Sequence, residues 1–186
     1  MYAGHFAAAL ALKAAVPKAP TWGLLVGMAL PDLLCSMFLL AQVEKVTPEP
    51  EFAPGFRLDF IDWSHSLVTI AIWAVLFGAL FRRHGRAVAL AMGLAVFSHF
   101  PLDWVMHPGD LALYPHSVAH FGLGLWRTAP VGWWFVELAV VAAACAAYVT
   151  RARALRTFGG RALGVCAVMA VLHLGFSPWV QALVFK

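Results

Sequence analysis

Apolar residues run along this chain in long blocks, broken by short polar turns. A helix needs about 20 mainly apolar residues to cross a bilayer. Trp22–Val43, His65–Phe81, Ala87–Met106 and Val131–Val149 have that length and character, and Ala162–Leu183 does so despite His173 and Pro178. Tyr2–Val16 is helical in composition but shorter. The pattern predicts an all-α polytopic membrane helix bundle, five spans plus a short N-terminal membrane helix, forming a single integral membrane domain over residues 1–186. Thr47–Gly55 (TPEPEFAPG) is Pro-rich and reads as loop, and Gly159-Gly160 as a turn. The first residues lack the basic stretch that precedes the apolar core of a cleavable signal peptide, so they are expected to stay in the structure.

Composition supports the same class. The chain is 62% hydrophobic and 12% charged, against about 25% charged in an average soluble domain. So few charges cannot cover a globule of this size. The net charge is +4, but no basic run is interleaved with exposed aromatics, so nucleic acid is not an expected partner. The bilayer is. Cys35, Cys145 and Cys166 lie inside apolar stretches without a C-x-x-C pair and read as small buried hydrophobes.

Basic residues of short loops mark the cytoplasmic side of a membrane protein. Lys13, Lys18, Arg82, Arg83, Arg86, Arg151, Arg153, Arg156 and Arg161 fall on one side when the segments alternate. The other side holds the longer stretches Glu44–Ser64 and His107–Pro130, with only Lys45, Arg57, Arg127 and Lys186. Both termini then face outward. Trp63, Trp104, Trp126, Trp133, Trp134 and Trp179 cluster near the outer boundary, where an interfacial belt belongs.

Ionisable residues inside a membrane are costly and by default functional. They are few here: His5, Asp32, His65, His99, Asp103, Glu137 and His173. The first five are of types that ligate zinc or another divalent cation. His5 lies at the outer end of the first segment. Asp32 follows Pro31, whose missing N–H is expected to kink the helix and turn the carboxylate toward a cavity. His65 opens its segment from outside. His99 and Asp103 are spaced i, i+4 and share one helix face, which His107 extends by a turn. All of these groups fall in the outer half of the bilayer or at its outer surface. That agreement in depth argues for one shared site. A metal-free Asp–His network is the alternative. His173 also reads as a hydrogen-bond partner of a neighbouring backbone, Glu137 as an uncharged acid bonded to a neighbour, and His84, His116 and His120 as surface.

The order Gly4-His5, Pro31-Asp32, Ser64-His65-Ser66 and His99-x-x-x-Asp103 resembles the YdjM-like membrane-bound metal-dependent hydrolases over roughly the first 140 residues, most closely in LDFIDWSHSL and SHFPLDWVMHPGDLALYP. The ligand order is also similar to zinc-dependent phospholipase C and the single-strand nucleases. The resemblance implies a bacterial cytoplasmic (inner) membrane protein, multi-pass, with its metal site toward the extracytoplasmic side. It implies one divalent cation, zinc by type, on Asp32, His65, His99 and Asp103, and a neighbouring one joined by His5 with Asp103 as bridge. The soluble enzymes carry a further His and an H-x-x-x-E. Here Gly124 stands four residues after His120, which leaves His107 and Glu137 as substitutes.

The leading functional expectation is a metal-dependent hydrolase at the outer leaflet acting on a phosphoester-bearing lipid, with Asp103 or Glu137 as general base. The rivals are a non-enzymatic protein with a structural metal or Asp–His network, and a haem carrier. The chain has no H-E-x-x-H and no G-x-S-x-G. It also lacks the P-S-G-H element that accompanies H-x-x-x-D in type-2 lipid phosphatases.

Overall fold

The computed structural model describes residues 2–49, 56–129 and 131–180. In chain order the elements are α1 (Tyr2–Ala15), α2 (Thr21–Leu40), β1 (Lys45–Pro48), β2 (Phe56–Phe60), α3 (Asp62–His65), α4 (Leu67–Leu80) and a 3-10 turn at Arg82–His84. They continue with α5 (Arg86–Phe97), α6 (His99–Met106), β3 (Leu111–Ala112), β4 (His120–Phe121), α7 (Leu125–Thr128), α8 (Gly132–Ala154) and α9 (Gly160–Gly175).

Three helical stretches among the described residues are long and apolar enough to cross a membrane: Thr21–Leu40, Arg86–Met106 (α5 running on into α6) and Gly132–Ala154. Leu67–Leu80 and Gly160–Gly175 are apolar but shorter. The span expected from His65 is shortened for a local reason. Ser66 adopts extended backbone (φ −72°, ψ 152°) and caps α4, its Oγ accepting from the Thr69 N–H. His65 is thereby left outside α4, at the end of the separate turn α3. The last expected span, to Leu183, is helical to Gly175, and residues 181–183 lie outside the described residues.

The exterior is apolar, as a bundle in lipid requires. Val68, Ile72, Val75 and Leu76 of α4 are exposed, as are Leu25, Val26, Leu33 and Met37 of α2. The interior is built from small residues and a few large ones. Leu24, Met28, Phe77, Phe81, Met92 and Val96 pack between α2, α4 and α5. Ala3, Ala7, Leu10, Val141, Ala144 and Met169 join α1 to α8 and α9. Where α4 meets α5, a Cβ on Gly78 would stand 2.8 Å from the Ala89 carbonyl and one on Gly93 would stand 3.0 Å from the Ala74 carbonyl. The two backbones touch because neither position carries a side chain.

The all-α expectation is corrected by two short antiparallel ribbons, β1–β2 and β3–β4. Thr47 and Pro48, read as loop, pair with Arg57 and Phe56, and residues 50–55 lie outside the described residues. Pro48 is tolerated because it ends an edge strand and owes no ladder hydrogen bond there. On this exposed ribbon, the Thr47 hydroxyl (2.5 Å) and the Arg57 guanidinium (2.8 Å) bond to Asp59. Together they hold its carboxyl below the usual carboxylate range. The ribbon returns the chain so that Glu44, just before β1, meets Ser64, just after β2.

The tryptophan expectation is corrected in part. Trp63, Trp104 and Trp179 are exposed, but Trp133 and Trp134 are buried against Met106.

Candidate metal centre

The polar residues of the membrane segments meet because the helices share one direction rule. α1, α4 and α8 run from the His5, His65 and Glu137 end toward Lys13, Arg82 and Arg151, while α2, α5–α6 and α9 run back. Contacts at two levels fix the register: Trp22 meets Phe81 at one level, and the Met28 carbonyl meets His99 at another.

At that level six side chains converge, from α1, α2, α3, α6 and the residue that follows α6. His99 Nε2 lies 3.0 Å from Asp103 Oδ2 and 3.5 Å from Asp32 Oδ1. His65 Nε2 lies 3.5 Å from Asp32 Oδ1 and 4.0 Å from Asp103 Oδ2. His5 Nε2 is hydrogen-bonded to Asp103 Oδ1 at 3.0 Å, and His107 Nε2 lies 3.9 Å from that same oxygen. The Asp103 carboxylate is thus divided, with Oδ2 toward His65 and His99 and Oδ1 toward His5 and His107. The His5 ring stacks on His99 at 3.8 Å, 3° from parallel. Two groups, His5–His99–Asp103 and Asp32–His65–His99, bring one donor atom each within 4.8 Å of the others, the spacing of a metal site.

The far sides of three rings fix their tautomers. His99 Nδ1 lies 3.0 Å from the Met28 carbonyl, which only accepts, so Nδ1 carries the proton. His107 Nδ1 donates to Asp110 Oδ1 at 2.8 Å. Ser64 donates its hydroxyl to Glu44 Oε2 at 2.8 Å and therefore accepts from His65 Nδ1 at 2.7 Å. Glu44 Oε1 also accepts the Ser64 N–H. Ring orientation by a carboxylate, carbonyl or hydroxyl is how proteins prepare imidazole to bind metal. With Nδ1 so engaged, Nε2 of each ring points at carboxylate oxygens: a neutral ring offers them a lone pair, and a protonated ring donates to them. His99 Nε2 is buried and makes no hydrogen bond among the described residues, although an oxygen lies 3.0 Å away.

The remaining candidates lie elsewhere. Glu137 Oε1 accepts the Gly4 N–H at 3.0 Å, and Oε2 lies 3.5 Å from His173 Nδ1. Among the described residues its polar contacts are with α1 and α9, not with the six-residue cluster. His116 stacks on Phe60, its N–H bonded to Asp62 Oδ2, and His120 is exposed in β4. Asp32 differs from the expected picture. α2 passes through Pro31 as one helix. The Asp32 side chain is 61% exposed, on a stripe of α2 with the exposed Leu25, Val26 and Leu33, yet its Oδ1 still reaches both imidazoles.

The sequence pattern gave no role to Glu44, Asp110 or the Met28 carbonyl, and it named Ser64 only within the Ser64-His65-Ser66 motif. The one available signal was adjacency: Ser64 beside His65, and Asp110 three residues from His107.

No curated protein and no solved structure matches the chain. A family of inner membrane proteins does match, over residues 1–182, which takes in every residue of the cluster. The chain therefore belongs to the YdjM inner membrane protein family, and its apolar helices agree with an inner-membrane location.

Proposed function

We propose that the chain is a membrane-embedded metal-dependent hydrolase acting near the outer leaflet on a phosphoester-bearing lipid. Asp32, His65, His99 and Asp103 would hold one divalent cation, zinc by donor type, and His5, Asp103 and His107 a second. The observation that supports this is the convergence of imidazole Nε2 atoms and carboxylate oxygens inside an apolar bundle. A divalent cation between neutral rings and these carboxylates would replace the protons that otherwise have to bridge them. Donors at 2.0–2.2 Å from a tetrahedral ion stand about 3.4 Å apart, and the four measured separations of 3.0, 3.5, 3.5 and 4.0 Å bracket that value. In the proposed topology the five spans and α1 place the basic helix ends in the cytoplasm and the cluster toward the extracytoplasmic side.

A bound divalent cation supplies a Lewis acid for a phosphoryl oxygen and acidifies water. The protein groups then divide the remaining work. His65, His99 and His107 are held by their Nδ1 partners. Asp103, with one oxygen toward each group of histidines, would contribute to both positions. Asp32 is the member of the cluster with a largely exposed side chain, so it is the carboxylate placed to take a proton at the opening. Its neighbours there are exposed apolar residues of α2, so the opening faces the bilayer. This favours a lipid over a water-soluble ester.

The second reading is a structural centre. It is favoured by the number of donors proposed for the first position, four, which closes a structural zinc site. One experiment separates the two. The purified protein, loaded with zinc, is placed in vesicles of phosphatidylethanolamine and phosphatidylglycerol, and headgroup release is followed. The hydrolase reading expects turnover that chelation stops and zinc restores, reduced by about 100-fold or more in Asp32→Asn. Zinc-dependent melting without turnover on either lipid supports the structural centre instead.

A further inference from the structure

A second buried polar pair, Glu137 and His173, stands apart from the cluster and takes no part in the proposed reaction. Glu137 is 0% and His173 1% exposed. Ionisable groups this deep among apolar helices carry a cost that a role must offset. Glu137 Oε1 accepts the Gly4 N–H at 3.0 Å. Gly4 lies in the first turn of α1, where backbone N–H groups have no carbonyl within the helix. The next residue is His5. Glu137 Oε2 lies 3.5 Å from His173 Nδ1. The His173 ring stacks on Trp134 at 4.4 Å, and Trp134 Nε1 donates to the His173 carbonyl at 3.2 Å. The start of α1 is tied to the end of α9 a second time, by Tyr2 against Phe176 at 3.9 Å. A chain of contacts therefore leads from α9 through α8 to the turn that carries His5.

We infer that Glu137 is a positioning residue: it fixes the first turn of α1 so that His5 faces Asp103 Oδ1, and so sets the affinity of the second cation position. This rests on the metal-centre reading above. The role needs an acceptor oxygen at Gly4 and no proton transfer, which distinguishes it from a general base.

The test compares Glu137→Ala and Glu137→Gln with the wild type by two readouts. One is hydrogen exchange at the Gly4 amide in zinc-free protein, and the other is zinc binding by equilibrium dialysis. In Glu137→Ala, Gly4 should exchange about ten- to a hundredfold faster. The weaker zinc equivalent should lose about tenfold or more in affinity while the tighter one is unchanged. Glu137→Gln keeps an acceptor oxygen and should restore both readouts. The inference is overturned if Gly4 exchange is unchanged in Glu137→Ala, if both zinc equivalents weaken together with loss of protection across the fold, or if Glu137→Gln behaves as Glu137→Ala. A wild type that binds no zinc would remove the metal centre and with it the cation half of the inference, and the exchange readout would still decide whether Glu137 holds the first turn.

Discussion

Ser64→Ala removes one hydroxyl and none of the proposed ligands, so it isolates what the support of His65 contributes. Ser64 is fully buried, as nearly are its partners Glu44 and His65. Its Oγ stands 2.7 Å from His65 Nδ1 and 2.8 Å from Glu44 Oε2. The substitution leaves the His65 Nδ1–H without an acceptor, at about 1–3 kcal/mol, and takes a charge-assisted bond from Glu44, at about 1.5–3 kcal/mol. The two losses share one hydroxyl and the Ser64 N–H to Glu44 persists, so we expect about 2–3 kcal/mol of stability rather than their sum. A ligand ring freed from its outer partner weakens metal binding by about 10–100-fold, or about 1.4–2.7 kcal/mol. The assay is competition for zinc between the purified variant and a fluorescent chelator, with thermal unfolding run in parallel. The expected result is unchanged stoichiometry with the raised dissociation constant. A constant within about twofold of the wild type, with an unchanged melting curve, would refute the relay from Glu44 to His65.

Other substitutions probe the frame. Gly78→Val drives a side chain into the Ala89 carbonyl, which a Cβ alone would approach to 2.8 Å; we expect about 1–3 kcal/mol of destabilisation, read as a lower melting temperature. Gly122 has φ +154°, and a Cβ there would collide with the His107 carbonyl. Gly122→Ala should therefore cost about 1–3 kcal/mol and, through His107, weaken the second zinc equivalent in dialysis. Lys13 donates to the Pro17 and Ala19 carbonyls at 2.9 and 2.7 Å, closing the turn between α1 and α2. Lys13→Met should lower stability by about 1 kcal/mol at this half-exposed position, and an unchanged melting curve would deny the turn its clasp.

What could be read from the chain divides along physical lines. Apolar blocks are visible because lipid forbids charge over a helix length, so Thr21–Leu40 and Gly132–Ala154 stand close to their expected limits. His5, Asp32, His65, His99 and Asp103 were legible as a group because polar side chains are rare in such blocks, and the structure brings them within 4.0 Å of a shared carboxylate or imidazole. Lipid-facing and core-facing apolar residues are chemically alike. Nothing in the pattern therefore separated buried Trp133 and Trp134 from exposed Trp63 and Trp104. Glu44 follows the apolar block of α2 and looks like an ordinary boundary charge. Its burial depends on the β1–β2 ribbon, a long-range pairing that local periodicity does not encode. The break at Ser66 was hidden for the opposite reason, since its capping chemistry is local but sits inside an apolar run. Glu137 was conspicuous by type, yet which helix faces it is decided by tertiary packing.

The most direct measurement is diffraction from the purified protein at the zinc absorption edge. The account predicts an anomalous peak bounded by Asp32 Oδ1, His65 Nε2, His99 Nε2 and Asp103 Oδ2, about 2.0–2.2 Å from each, and a weaker one on the Oδ1 side of Asp103. A map without either peak, from protein carrying less than about a tenth of an equivalent of any divalent metal and with the imidazoles hydrogen-bonded directly to the carboxylates, would contradict it.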